Sequence, residues 1–415
     1  MIMNRYITNI KINKLLHLNN FDIPIDDDNH PHLIITGKNG SGKTILLNAV
    51  ADFLDVIKED DHLNFMNYKL NFAMWQGLKN RAKDEVERET ADNWITQIQT
   101  KIDNLYGKVD ISFADVPDLI KQYQNGDFIL AFYQATRKPE MSEPKTPTRP
   151  DLKNNVGLKK SISNQFLNFL SDLKIQEALA RNENQLQDAD EIKNWFDDFE
   201  KLLGEIYQDD KLKLEFNYRD YSFRICTEGK SFKFTELADG FSAILDIVAD
   251  LILKMQEKSS FTRSYKKEGI VLIDEIETHL HLALQKTILP LLTKVFPNVQ
   301  FIVTTHSPFV MNSCDNAVAY DLEHREILAD LNEYSYESLA EGYFGVETES
   351  SYAQMQLDKL KTLLAKYENT ETEIASIRQF VADFEKIPEA ISPIIVGQYR
   401  QLTNQYSEKI RRYVQ

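Results

Sequence analysis

The sequence is short of cysteine, glycine and long apolar segments, and each shortage excludes a class of protein. Its 415 residues include only two cysteines, 14 glycines and 12 prolines, and 42% of all residues are hydrophobic. This composition excludes fibrous and disulfide-rich chains. No apolar stretch approaches the ~20 residues of a membrane-spanning helix, and the first residues lack the pattern of a signal peptide. Cys226 and Cys314 lie far apart without metal-ligand spacing. We therefore expect a cytoplasmic protein that makes no membrane contact.

Basic residues are also in deficit, because 48 Lys and Arg face 64 Asp and Glu and the net charge is −16. Proteins that bind nucleic acid broadly depend on Lys and Arg to neutralise phosphates, so this charge argues against such binding. A local exception is the basic stretch 137–160, which begins at Arg137 and holds four prolines. This composition predicts an extended, solvated loop. Contact of the loop with nucleic acid or with a partner protein is the alternative.

The sequence does contain a complete glycine-rich phosphate-binding loop. The loop follows the apolar run 32–36 and precedes a predicted helix over 45–54, which is the strand–loop–helix context that the motif requires. Its glycines let the backbone turn successive N–H groups inward, and the helix N-terminus adds partial positive charge. The pattern predicts binding of a nucleoside triphosphate, and the residues that form it are Gly37, Lys38, Asn39, Gly40, Ser41, Gly42, Lys43 and Thr44. Lys43 is expected to reach the β- and γ-phosphates, and the Thr44 hydroxyl to bind Mg²⁺.

Three further side chains with suitable chemistry follow two apolar runs. Asp274 and Glu275 come directly after the run 270–273, and His306 follows the run 300–305. A carboxylate at the end of a parallel strand is well placed to bind Mg²⁺, so we assign Asp274 as a metal ligand beside Thr44. Glu275 is then the candidate to orient or deprotonate the attacking water. His306 is the candidate to contact the γ-phosphate or that water as an uncharged group.

The order of the segments predicts an α/β fold with a mixed, mainly parallel sheet. Residues 6–12 and 21–25 alternate as antiparallel strands, whereas the near-continuous apolar runs 269–274 and 300–305 are typical of buried parallel strands. Charged helical blocks at about 56–106 and 160–208 interrupt this pattern. We expect a nucleotide-binding head over 1–330 and a helical appendage over 331–415. In that appendage the helical spacing predicts one shared face for Leu357, Leu360, Leu364 and Tyr367.

Residues 237–242 form a turn that opens another predicted helix, which runs to about Lys254. A helix that starts here presents free N–H groups and is a second candidate site for phosphate. An ordinary helix N-terminus is the alternative at this level of reasoning.

These motifs together resemble the ABC-type ATPases of the OLD-like and SMC-like branch. The phosphate loop, the Leu-Ala-Asp-Gly-Phe turn at 237–241, the acidic strand and the Thr-Thr-His-Ser-Pro run at 304–308 occur in that family's order. The runs 274–281 and 304–309 are particularly similar to ATPases of bacterial anti-phage systems such as Septu and PARIS. The resemblance covers about residues 1–330, apart from the helical insertions.

The resemblance implies that two copies of the chain enclose two ATP molecules with Mg²⁺. Residues 237–242 would be the signature motif, in which Leu237, Asp239, Gly240 and Ser242 act on the nucleotide held by the other subunit. The family usually has serine where this chain has Ala238. Residues 277–281 would lie near the dimer seam. Gln134 would be the Q-loop glutamine, which contacts the nucleotide and its metal.

No effector domain is evident in the sequence, since the tail beyond 330 has no strand-borne acidic cluster and no histidine follows His324. The main hypothesis is therefore an ATPase that dimerises around ATP and controls a separate effector, a nuclease, in anti-phage defence. Nucleic acid would be reached through that partner. The alternative is a DNA-maintenance or repair ATPase of RecF or SMC character that binds DNA directly.

Overall fold

The computed structural model describes most of the chain as two compact units, which cover Met1–Tyr334 and Ser335–Gln415. The described residues are 5–25, 32–56, 61–113, 116–137, 141–144, 146, 157–256, 266–328, 331, 336, 338–339, 351–387 and 393–414.

The first unit contains all the strands that the structure describes. They are β1 (Ile7–Leu15), β2 (Leu18–Pro24), β3 (His32–Thr36), β4 (Val109–Phe113), β5 (Phe128–Tyr133), β6 (Lys213–Asn217), β7 (Ser222–Thr227), β8 (Lys230–Lys233), β9 (Glu268–Ile273), β10 (Val299–Thr304), β11 (Ala317–Asp321) and β12 (Glu326–Leu328).

The helices fall in both units. Those of the first unit are α1 (Lys43–Val56), α2 (Asp61–Arg81), α3 (Glu85–Tyr106), α4 (Val116–Asn125), α5 (Phe166–Asn182), α6 (Leu186–Tyr207), α7 (Asp239–Lys254), α8 (Leu282–Gln285), α9 (Ile288–Val295) and α10 (Pro308–Met311). The second unit has α11 (Ser351–Ala365), α12 (Glu371–Phe384), α13 (Pro393–Gln405) and α14 (Ser407–Val414). Within the described ranges, no helix combines the length and the apolarity needed to cross a bilayer.

The central sheet has six strands in the order β12-β11-β3-β10-β9-β5. The pairs from β11 to β5 are parallel, and only β12 runs antiparallel to its neighbour. Strands β3 and β10 are buried along their whole length, as expected for apolar runs covered on both faces. This topology confirms the predicted α/β fold with a mainly parallel sheet. It also brings the carboxyl ends of β3, β10, β9 and β5 to one edge.

The N-terminal strands form a separate antiparallel sheet in the order β2-β1-β4, as the alternation of their residues predicted. One apolar cluster joins this sheet to α1 and to the central sheet, and it includes Ile10, Leu46, Val50 and Leu272. Helix α1 therefore has an apolar face buried in the same cluster as both sheets. That packing fixes the start of α1, at Lys43, against the end of β3.

The two predicted helical blocks are helical hairpins. Helices α2 and α3 pack together, and Trp75 stacks on Trp94 with ring centroids 5.8 Å apart. Helices α5 and α6 share an aromatic core, in which Phe166 and Trp195 both contact Phe199 at 5.4–5.5 Å. A third sheet, β6-β7-β8, follows α6 in the chain. The sequence did not predict β8.

The second unit has its own apolar core, formed mainly by residues of α11, α12 and α13. Leu357, Leu360 and Leu364 are buried there, as the helical spacing predicted. The prediction for Tyr367 was wrong, because this side chain is 97% exposed. Helix α11 ends at Ala365, and Thr370 then caps the start of α12 through a capping box with Glu373. Tyr367 thus lies in the connection and does not continue the apolar face.

Candidate functional site

The phosphate loop adopts a backbone that only its glycines accommodate. Gly37, Gly40 and Gly42 have φ angles of 136°, 85° and 102°, a region that other residues rarely enter. A Cβ atom on Gly37 would lie 2.9 Å from the Ser41 hydroxyl, and one on Gly42 would lie 3.0 Å from Leu18. Side chains at these two positions would therefore clash with Ser41 and Leu18, so the loop backbone depends on glycine there.

Lys43 and Thr44 occupy the first turn of α1, immediately after Gly42. Lys43 is only 5% exposed, and its Nζ donates to the carbonyl oxygens of Gly37 (2.7 Å) and Lys38 (3.1 Å). Burial lowers the pKa of Lys43 to about 8, although carboxylates nearby act in the opposite direction. The ammonium group is thus held at the mouth of the loop, where it is poorly solvated and suited to an anion.

Two of the three residues predicted to contact Mg²⁺, Thr44 and Asp274, lie side by side. The Thr44 hydroxyl donates to Asp274 Oδ1 at 3.2 Å, and the Thr304 hydroxyl donates to the same oxygen at 2.7 Å. Asp274 is 2% exposed. Within the described ranges no cluster of three or more His, Cys, Asp or Glu side chains could hold a metal on its own. Mg²⁺ commonly binds through one or two protein oxygens and completes its shell with phosphate and water, so this pair fits it.

Glu275 follows Asp274 in an uncommon backbone conformation. Its φ angle is 45°, in the left-handed region. Its N–H donates to the Thr304 hydroxyl at 2.8 Å, and its carboxylate accepts from the Thr278 hydroxyl at 3.3 Å. Residues held in such a region cluster at functional sites, where the surrounding contacts fix them. The side chain is half-buried.

His306 lies at the carboxyl end of β10, as predicted, and a buried carboxylate supports it. The Glu277 carboxylate accepts from the backbone N–H of His306 at 2.5 Å and from the Thr305 hydroxyl at 2.8 Å. Burial and the nearby Lys43 lower the pKa of His306, so the imidazole is neutral near pH 7. Burial raises the pKa of Glu277. The sequence assigned Glu277 to a segment near a dimer seam and did not predict these bonds within the chain.

Gln134 directly follows β5 and is exposed at the same edge of the sheet as Asp274, since β5 neighbours β9. Three residues later, Arg137 donates to the carbonyl oxygens of Asp274 (3.1 Å) and Ile276 (3.4 Å). The prediction of a solvated basic loop was therefore wrong for Arg137, whose guanidinium is built into the site. Lys159 pairs with Asp52 at 2.8 Å. Residues 138–140, 145 and 147–156 of that stretch lie outside the described residues.

The turn at 237–242 opens α7 at the surface of the first unit. Ala238 and Asp239 are exposed, whereas Gly240 is buried against the loop that follows Glu275. A Cβ atom on Gly240 would lie 2.8 Å from the carbonyl oxygen of His279. Leu237 and Ser242 are half-buried on either side. The predicted helix from Asp239 to Lys254 is confirmed.

A buried polar network fixes α7 relative to β5, and the sequence analysis missed it. Asp250 is fully buried and accepts from the Tyr133 hydroxyl (2.6 Å), the Ile162 N–H (2.6 Å) and Lys254 Nζ (2.7 Å). Burial and the neighbouring Asp250 raise the pKa of Tyr133. Tyr133 immediately precedes Gln134, and its carbonyl accepts from the Asp274 N–H at 2.8 Å. The helix that carries the 237–242 turn is thus tied to the strand ends of the site.

Comparisons with known proteins find one matching family model and several similar Septu and retron proteins. A family model described as "AAA domain, putative AbiEii toxin, Type IV TA system" matches residues 139–312. The Septu protein PtuA of Bacillus mycoides is 24% identical over 405 residues, which are 92% of this chain and 51% of that protein. The Retron Vc95 probable ATPase of Vibrio cholerae is 21% identical and is matched over 81% of this chain and 78% of its own length.

The Retron Ec83 probable ATPase of Escherichia coli is 43% identical over 82 residues, 20% of this chain and 15% of that protein. The chain is therefore similar to these Septu and retron proteins along most of its length. It spans about half the length of the Septu protein PtuA that it matches.

Among solved structures, an SMC head bound to the C-terminal winged-helix domain of ScpA covers 79% of this chain with a TM-score of 0.39 and 12% identity; all of that SMC chain is matched. The SMC head domain from Thermotoga maritima covers 76% with a TM-score of 0.34 and 13% identity; 94% of that chain is matched. The strand order of the central sheet, and not this likeness, defines the fold.

Proposed function

We propose that the chain binds and hydrolyses ATP with Mg²⁺, pairs with a second copy around two nucleotides, and thereby controls a separate effector, a nuclease, in anti-phage defence. The observation that carries the ATPase part is the convergence of Lys43, Thr44, Asp274, Glu275 and His306 at one edge of the sheet. The similarity to Septu and retron proteins supports the role in defence.

The loop fits a triphosphate in ways that are independent of its sequence pattern. Gly37 and Gly42 allow a tight loop, because a Cβ atom at either position would crowd Ser41 or Leu18. The Ser41 hydroxyl is buried there and has no hydrogen-bond partner in the part of the chain that the structure describes. Such a group is costly unless a ligand or water satisfies it. Lys43 and the loop N–H groups would hold the phosphates, while Thr44 and Asp274 would hold the metal.

Each side chain at the strand ends has one task in this proposal. Bound Mg²⁺ would supply positive charge for the phosphate oxygens. Glu275 orients the water and accepts its proton, and the neutral His306 contributes a hydrogen bond without a competing charge. Asp274, held by the hydroxyls of Thr44 and Thr304, keeps a fixed carboxylate oxygen at the metal position.

The 237–242 turn would complete the site of a second copy. Ala238 and Asp239 are exposed, so the start of α7 can meet another chain without rearrangement. The helix N-terminus offers free N–H groups and partial positive charge to a phosphate. Ala238 lacks the hydroxyl usual at this position in the family, and Ser242, one turn into the helix, could supply one instead.

Control of an effector follows if the partner protein binds the ATP-bound and free states unequally. The helical hairpins and the second unit, Ser335–Gln415, are the candidate contact regions, because no part of the motif set requires them. Gln134 would report the presence of nucleotide and metal to β5 and, through Tyr133 and Asp250, to α7.

The Lys43→Ala variant tests the proposal most simply. We expect its affinity for ATP to fall by about 100-fold or more, since one buried cation and its contacts are lost. Lys159→Ala is the matched control, because Lys159 pairs with Asp52 at the surface. Equal ATP affinity in the Lys43 variant and the wild type, measured by isothermal titration calorimetry, would refute the assignment of the loop.

A further inference from the structure

Arg137 makes contacts beside the site that the proposed binding of phosphate by the loop does not explain. Its guanidinium contacts the residues before and after Glu275. Nη1 donates to the Asp274 carbonyl at 3.1 Å, and Nη2 donates to the Ile276 carbonyl at 3.4 Å. These carbonyl groups belong to the residues that precede and follow Glu275 in the chain. Nη1 also lies 3.4 Å from the carbonyl oxygen of Gln134.

Glu275 lies in the left-handed backbone region, which is unfavourable for glutamate. Its φ of 45° places the Cβ atom close to the following carbonyl, a cost that persists only where neighbouring contacts outweigh it. On the other side of the chain, Thr304 supplies such contacts. Its hydroxyl accepts the Glu275 N–H at 2.8 Å, and its carbonyl accepts the Ile276 N–H at 3.1 Å.

Arg137 and Thr304 therefore hold opposite faces of the same short segment. Thr304 takes the N–H groups of residues 275 and 276, and Arg137 takes the carbonyl groups of residues 274 and 276. Arg137 is half-buried, and this partial burial lowers its pKa. A planar group with fixed donors suits this two-point contact better than an ammonium group. Its Nε has no hydrogen-bond partner among the described residues.

We propose that Arg137 is a positioning residue that fixes Glu275 in its left-handed conformation and so aims the carboxylate into the site. This inference rests on the proposed ATPase function. The direction of aim is supported by Lys43 and His306, because the Glu275 carboxylate interacts electrostatically with both groups. Without the guanidinium, the 274–276 segment relaxes and the carboxylate leaves the position at which it meets the water.

The kinetic test compares Arg137→Gln with Arg137→Lys and with Arg224→Gln, a control whose guanidinium bonds to Ser231 on β8. We expect Arg137→Gln to lower kcat about 10- to 100-fold, as misplacement of a catalytic group does, with less than a threefold change in ATP affinity. Lysine reaches one carbonyl and restores part of the rate. In a Glu275→Gln background the same substitution should lower the residual rate less than twofold.

A second readout needs no nucleotide. Glycine tolerates the left-handed region, so Glu275→Gly should raise the melting temperature when Arg137 is present and have a smaller effect beside Arg137→Gln. Equal effects in both backgrounds would overturn the proposal, as would a wild-type kcat in Arg137→Gln. The ATPase proposal fails if the wild-type chain hydrolyses ATP no faster than the Lys43→Ala variant. In that case the melting experiment still decides the role of Arg137.

Discussion

The two halves of the proposed site differ in how completely one chain builds them. On the nucleotide side, Lys43 and Asp274 are buried, and Lys43, Thr44 and Asp274 make hydrogen bonds within the chain. On the side of the 237–242 turn, Ala238 and Asp239 are exposed, and Gly240 is packed against the loop that follows Glu275. A buried, preformed half needs only its ligand, whereas an exposed half is suited to a second chain.

The largest effect is expected from the preformed half. Glu275→Gln removes the proton acceptor but keeps the side-chain shape, so turnover should fall by about 10²- to 10³-fold while ATP still binds. The bound complex should then accumulate as a pair of 48.2 kDa chains. Light scattering with ATP and Mg²⁺ measures this, with the exposed Glu326→Gln as the control. A monomer at saturating ATP would count against the composite site.

The exposed half is tested by Ala238→Glu. The added charge and bulk should oppose the phosphates of the other subunit's nucleotide, so pairing and turnover should fall about tenfold or more. ATP binding by the single chain should be unaffected because Lys43 and Asp274 are untouched. Ala178→Glu, at an exposed alanine of α5, is the matched control. Loss of ATP binding in the Ala238 variant would contradict the claim that the nucleotide side is complete within one chain and that the 237–242 turn acts only on a second chain.

A smaller effect concerns the strand beneath the preformed half. His32, at the start of β3, is 7% exposed, and its Nδ1 accepts from the Phe301 N–H at 3.1 Å. Burial lowers the pKa of His32 to about 4 from 6.5. The unfolded chain therefore binds an extra proton between these values, and the stabilisation present above pH 6.5 is lost as pH falls toward 4, by roughly 3 kcal/mol.

His32→Asn keeps an acceptor but does not titrate. The melting temperature of the variant should therefore rise relative to the wild type as the pH is lowered from 7 to 4.5, and the comparison cancels carboxylates common to both chains. A difference that stays constant over this range would show that His32 does not titrate on unfolding.

The smallest effect is expected from removal of the second unit. Both halves of the site lie in the first unit, Met1–Tyr334, and the second has a separate apolar core. A chain that ends at residue 334 should bind ATP within about twofold of the full chain but capture less effector. Loss of ATP binding would show that the second unit contributes to the preformed half.

The motifs of the preformed half were predictable because their signals are local. Glycines at 37, 40 and 42 specify positive φ angles, and continuous apolar runs specify buried strands. Once the strands are parallel, Asp274 and His306 must lie at one edge of the sheet. Sequence alone therefore gave the fold class, the loop and the placement of these side chains.

The supporting residues were not predictable, because tertiary contacts determine them. Arg137 and Asp274 are 137 positions apart, and Tyr133 and Asp250 are 117 positions apart. A basic residue in a proline-rich stretch has the same local signal whether it is solvated or buried. Tyr367 shows a different limit: its spacing fits the helix, but the capping box at Thr370 starts a new helix soon afterwards.

The claim that each chain completes the site of the other is tested most directly by mixing two variants of low activity, Lys43→Ala and Ala238→Glu. In a mixed pair, one site combines an intact phosphate loop with an intact 237–242 turn. If the pair has twofold symmetry, an equimolar mixture should recover about a quarter of the wild-type ATPase sites. A mixture no more active than the separate variants would contradict the account.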